Sequence, residues 1–108
     1  MIKKKFIISG ERASGKTHKL TFLSAQHQIP ILCSGESGRK AILEIAGRYH
    51  MNIPNPILFD EDVTFGQCVF VDEINSYLEY LEKNEKLTGL NILGFSITTD
   101  DGVEWIEI

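Results

Sequence analysis

Several kinds of signal are missing from this chain of 108 residues, and each absence narrows what it does. Cysteine occurs only at Cys33 and Cys68, with no C-x-x-C pair, so the usual spacing of a zinc site is not there. Each cysteine sits in an apolar run (Ile31-Leu32-Cys33 and Cys68-Val69-Phe70), as a small buried hydrophobe does. Free thiols and a cytoplasmic location are therefore expected. No apolar run approaches the ~18 residues that a membrane-spanning helix needs. No leader is expected either, because Met1-Ile2-Lys3 runs directly into a strand-like segment. Positive charge is not in excess: 11 basic against 15 acidic residues give a net charge of −4. A general electrostatic footprint for nucleic acid is thus absent, and Lys3-Lys4-Lys5 reads as a solvated strand entrance. His18, His27 and His50 are scattered without ligand spacing. No repeat, linker or low-complexity segment divides the chain, so residues 1–108 are expected to form one small domain.

What is present is an alternation of short apolar runs with helical patterns. Strands are expected at about Lys5–Ser9, Ile29–Cys33, Ile57–Phe59, Cys68–Val71, Leu90–Ile97 and Val103–Ile108. Helices are expected from Gly15 to about His27, from Arg39 to His50 with Ser37 as cap, and from Ser76 to Lys86 with Asn75 as cap. Ile42, Ile45, Ala46 and Tyr49 should share the inner face of the second helix, and Tyr77, Leu78 and Leu81 that of the third. The pattern is that of an α/β three-layer sandwich around a mostly parallel sheet. Asp101-Gly102 between two apolar runs signals a C-terminal hairpin, with the last strand antiparallel to its predecessor.

The chemistry is concentrated in Gly10-Glu11-Arg12-Ala13-Ser14-Gly15-Lys16-Thr17, which fits G-x-x-x-x-G-K-[ST] between a strand and a helix. Glycines at the two ends let the backbone curl so that successive N–H groups point inward, and the helix adds unpaired N–H groups and the positive end of its dipole. Such a cradle takes a polyphosphate, with residues Gly10 to His18 around it, Lys16 supplying mobile positive charge and Thr17 a hydroxyl for Mg²⁺. The second concentration is Val69-Phe70-Val71-Asp72-Glu73, an apolar strand ending in two carboxylates. A carboxylate at a strand tip can hold Mg²⁺ and its waters, which suits Asp72, and its neighbour Glu73 can polarise an attacking water. The alternative for Glu73 is stabilisation of a helix start.

These two stretches resemble the Walker A and Walker B motifs of the P-loop NTPases, in the division whose Walker B strand ends in Asp-Glu. More narrowly, the chain looks like small phage-type ATP-binding proteins, through Gly10 to Thr17, Ala46 to Met51, Ile53-Pro54-Asn55-Pro56 and Val69 to Glu73. The resemblance implies ATP binding without naming a process; the first functional reading is Mg²⁺-dependent ATP binding with slow hydrolysis, as part of a phage or mobile-element process. Lys16 and Glu73 would be the catalytic groups, and Thr17 and Asp72 the metal ligands. GTPases of the class read guanine through Asn/Thr-Lys-x-Asp, and no such string occurs, which favours ATP. ATPases of this division carry an extra strand between those of the two motifs, with a polar residue at its tip. Ser96 and Thr98 are the candidates, although the expected hairpin argues against that strand order.

Two other readings stand beside the ATPase. One is a nucleotide-dependent binding or regulatory module with negligible turnover, favoured by small size and by the lack of a helical lid. The other is a small-molecule kinase, for which the segment from Asp60 to Gln67 is the one candidate lid. Arg12 is the candidate for a charge offered to phosphate or to a neighbouring subunit, so a protein partner or self-association that presents an arginine is a further expectation.

Overall fold

The computed structural model describes residues 5–10, 15–86 and 88–98, and the backbone of 104–107. The chain is α/β. Five parallel strands, β1 (Phe6–Gly10), β2 (Ile31–Cys33), β3 (Ile57–Leu58), β4 (Cys68–Val71) and β5 (Asn91–Thr98), share one sheet with an antiparallel β6 (Glu104–Glu107). The strand order is β3-β2-β4-β5-β1-β6. Three helices connect them: α1 (Lys16–His27), α2 (Glu36–Arg48) and α3 (Ile74–Lys83).

Strands buried on both faces read as continuous apolar runs, and alternate residues then serve opposite layers. Phe6, Ile8, Ile31, Cys33 and Phe70 pack with Leu20 and Leu23 of α1 and Ile42 of α2. Leu32, Val69 and Val71 pack on the opposite face with Tyr77 of α3. Around Tyr77 the aromatic rings of Phe59 and Tyr80 close the second layer, with centroids 5.0 and 6.5 Å from that of Tyr77. Phe6 and Phe70 meet edge to face at 6.3 Å in the first.

An irregularity in β5 sets the position of everything at its tip. The register with β4 shifts between Val69 and Phe70, so that Val69 faces Ile92 while Phe70 faces Gly94. Leu93 is the extra residue, a β-bulge, and the alternation of β5 is reset beyond it. Phe95 consequently joins the α3 layer. Ser96, paired in register with Ile8, turns to the α1 layer. Gly94 is required here by close approach: a Cβ would stand 2.9 Å from the Phe6 carbonyl oxygen and 3.1 Å from the Phe70 ring.

Several expectations are corrected. β6 is antiparallel but pairs with β1, Ser9 facing Glu104, and makes no hairpin with β5. β5 lies between β1 and β4, so the hairpin argument against an intervening strand fails. Helix α2 starts at Glu36 with Gly35 as N-cap, which puts Ser37 inside its first turn. Helix α3 starts at Ile74 with Glu73 as N-cap, ahead of the expected Asn75. Bonds from β5 to Glu73, described below, fix that start. On the helix faces, Ile42, Ala46 and Tyr77 are buried as expected, but Tyr49 and Leu78 are about half exposed. Cys33 and Cys68 are free thiols. Among the described residues no helix is long and apolar enough to cross a membrane.

Candidate functional site

Helix α1 is preceded by Gly15 as N-cap, whose φ of +88° lies in the left-handed region that glycine adopts without cost. Glycine offers no side chain to cap the helix, and no acidic residue lies in its first turn. The amino-terminal N–H groups and the positive dipole end are therefore not neutralised by α1 itself. Lys16, the first helical residue, is buried, at 7% exposure. Thr17 is held by the helix ladder, its carbonyl also accepting the Thr21 hydroxyl at 2.7 Å.

The tip of β4 faces this helix start. The Thr17 hydroxyl donates to Asp72 Oδ1 at 3.3 Å, and the Ser96 hydroxyl donates to the same oxygen at 3.1 Å. Ser96 Oγ in turn accepts the Glu73 N–H at 2.8 Å. Glu73 has a φ of +66°, a strained value for a residue with a Cβ, and β5 holds it there. Its carboxylate accepts the Thr98 N–H at 2.9 Å through Oε1 and the Thr98 hydroxyl at 2.6 Å through Oε2. Burial raises the Asp72 carboxyl above its ordinary range, and Glu73 adds to the rise. The bonds from Ser96 and Thr17, and the charge of Lys16, oppose it.

These groups open onto a cavity of about 620 Å³, a volume that suits a nucleotide-sized ligand. One side carries Gly15, Lys16, Thr17 and His18; the sheet edge gives Asp72, Glu73 and Thr98; α3 adds Asn75, Ser76 and Glu79. The cavity is thus positive on the α1 side and negative on the β4–α3 side. A bare polyanion would meet three carboxylates, whereas a polyanion carrying a divalent cation satisfies both walls. The donor set fits Mg²⁺ held mainly by ligand oxygens and water: one hydroxyl and one carboxylate stand side by side, and no cluster of three or more His, Cys, Asp or Glu that could cage a metal exists among the described residues.

Comparison of the chain with protein-family models, with curated proteins and with solved structures gives no significant match.

Of the residues singled out in the sequence, Gly15, Lys16, Thr17, His18, Asp72 and Glu73 converge on the cavity. Gly10 ends β1, paired in register with Thr98. Glu11, Arg12, Ala13 and Ser14 lie outside the described residues. Ser96 and Thr98 are more than strand-end residues, since each bonds an acidic residue of the β4 tip. No residue of the segment from Asp60 to Gln67 lines this cavity. Glu61, Asp62 and Val63 line a separate cavity of about 200 Å³ beside Tyr77 and Tyr80. Glu61 accepts the Leu58 N–H and pairs with Arg39, which commits that arginine to a structural ion pair. Cys33 is no candidate nucleophile, because burial pushes its thiol up to about 11.

Sequence reasoning missed Asn75, Ser76 and Glu79 as cavity residues. Their signal was available: a helix that starts at a motif carboxylate turns its first exposed residues toward the same site. Ile45, expected on the inner face of α2, lines the cavity instead.

Proposed function

We propose that the chain is a P-loop nucleotide-binding protein that takes ATP with Mg²⁺ and hydrolyses it slowly, serving a phage or mobile-element process. The observation that carries the reading is the 3.3 Å contact of Thr17 with Asp72. It joins the end of the glycine-rich loop to the strand-tip carboxylate at an uncapped helix start. On this reading the N–H groups of Gly15 to Thr17 and the Lys16 ammonium bind the β- and γ-phosphates. Thr17 and Asp72 would hold Mg²⁺, which when bound neutralises phosphate charge and polarises the γ-phosphoryl group. Ser96 keeps the Asp72 carboxylate turned toward Thr17. Glu73 would accept the proton of the water that attacks the γ-phosphorus, while the bond to the β–γ bridging oxygen breaks and ADP leaves. Calorimetric titration with ATP, with and without Mg²⁺, tests the reading: tight binding only with the metal is expected, and equal affinities with and without it would refute it.

A second reading, a binding module with negligible turnover, has its own support. Both oxygens of Glu73 are occupied by Thr98. A carboxylate so held orients a water less readily than one with a free oxygen. Steady-state ATP hydrolysis by the wild type and by Glu73→Gln, with and without DNA, separates the two, because only the ATPase reading makes the substitution matter. A kinase is less well supported, since the one candidate lid covers a different cavity.

A further inference from the structure

The cavity has a third wall whose chemistry is unlike the other two. His18 follows Thr17 on α1, and Ile45 reaches the same cavity from α2. Tyr49 caps α2 one helical turn beyond Ile45, hence on the same side of that helix. Its ring meets that of His18 at a centroid distance of 4.5 Å, with the planes inclined by 59°. Tyr49 nevertheless keeps 51% of its surface in water, whereas Tyr77, which serves the core, keeps 3%. Tyr49 thus stands at the rim of the cavity, beside the lining residues His18 and Ile45. An aromatic ring held by a neighbour and half in water offers π-surface for stacking, a contact open to every base and strongest for the larger ones.

The direction of a bound nucleotide follows from the polar walls. Its terminal phosphates belong beside Lys16 and the Thr17–Asp72 pair. Asp72, Glu73 and Glu79 repel the rest of the polyanion on the β4–α3 side. The nucleoside therefore leaves past His18. We propose that His18, Ile45 and Tyr49 form the seat of the nucleobase, gripping it by stacking and apolar contact, and that the ligand is a nucleoside triphosphate, purines being preferred for their larger stacking face. This rests on the phosphate-cradle reading above and adds the side on which the base lies.

Two ligands separate the seat from the cradle: Mg·ATP and Mg·tripolyphosphate, the second having the phosphates without a base. The wild type should bind ATP at least tenfold more tightly than tripolyphosphate, and ATP more tightly than CTP or UTP, because purines offer the larger stacking face. Tyr49→Ala should weaken ATP about tenfold and leave tripolyphosphate within about twofold, while Tyr49→Phe keeps wild-type affinity for both. Equal loss of both ligands in Tyr49→Ala would make Tyr49 a structural residue and overturn the seat. Tripolyphosphate bound by the wild type as tightly as ATP would overturn it without need of any variant, leaving the cradle intact. Failure of the wild type to bind either ligand would overturn the cradle, and the seat with it.

Discussion

Ser96 Oγ stands 3.1 Å from Asp72 Oδ1, and the same oxygen receives the Glu73 N–H at 2.8 Å. One hydroxyl thus fixes both acidic residues beyond β4, and does so from a fully buried position. Ser96→Ala removes a donor from Asp72 and an acceptor from a main-chain N–H held at positive φ. A buried group left without its partner costs about 1–3 kcal/mol. The variant should unfold several degrees below the wild type in a thermal melt, and an unchanged midpoint would show that neither bond contributes.

Asp72→Asn should do the opposite to the ligand-free protein. The native state raises the Asp72 carboxyl above the value of about 3.9 that it has in an unfolded chain. The folded state then holds the proton more tightly than the unfolded one. Stability therefore falls as pH rises from about 4 through the raised native value, and is flat above it. Asparagine keeps an acceptor for Thr17 and Ser96 and carries no charge. The variant should be more stable than the wild type in urea at pH 7, with the difference disappearing near pH 3. In the same protein the enhancement of nucleotide binding by Mg²⁺ should be lost.

Lys16→Ala should weaken Mg·ATP more than tenfold by calorimetry, because the phosphates then face main-chain dipoles alone. Equal affinities for the two proteins would sink the cradle.

Two glycine substitutions should differ in sign. Gly94→Ala forces a Cβ to 2.9 Å from the Phe6 carbonyl oxygen, and main chain there has no room to retreat. Overpacking of this kind costs about 1–3 kcal/mol. Gly47 lies within α2, and a Cβ added there would have nothing within 4 Å, so Gly47→Ala should add roughly 0.5–1 kcal/mol by helix propensity. Urea midpoints for the two variants measure both.

Turnover should be slow in the isolated chain. Among the described residues the arginines are Arg39, paired with Glu36 and Glu61, and Arg48 at the far end of α2. An arginine presented to the transferring phosphoryl group is worth about 10³–10⁵ in rate. Hydrolysis should rise with protein concentration or with a partner, and Glu73→Gln should abolish the rise. Fast turnover independent of concentration would require a catalytic group not yet identified.

Much of this was legible in the residues. Val69-Phe70-Val71 announced a strand buried on both faces because nothing in it is polar, and the loop glycines announced a turn into α1. The candidate residues Lys16, Thr17, Asp72 and Glu73 were legible for the same reason, since strand tips and helix starts are where such chemistry collects. The strand order was not legible. Asp101-Gly102 is a local signal, and local signals cannot report that β1 occupies the place beside β5 that a hairpin partner would take. Nor was the turning of Ser96 toward Asp72, which depends on one extra residue at Leu93. Only the isolated Gly94 within an apolar run hinted at that irregularity. Tyr49 followed the helical period of Ile42 and Ile45 yet stayed half in water, because it lies past the last turn of α2, beyond the reach of the sheet.

Among the described strands, β1 finds its neighbours at the greatest distance along the chain. Among the described residues β1 pairs with β5 and β6, while β2, β3 and β4 form their own run on the other side of β5. A nascent chain that has not yet delivered Asn91 to Thr98 can pair half a sheet but cannot seat β1 in it. The bonds by which Ser96 and Thr98 hold Asp72 and Glu73 are missing until then. Closing a loop of that length must precede any reward from the contacts it makes. Any affinity for nucleotide should therefore appear only once β5 is in place, and a chain stopped short of β5 should expose an unpaired apolar strand.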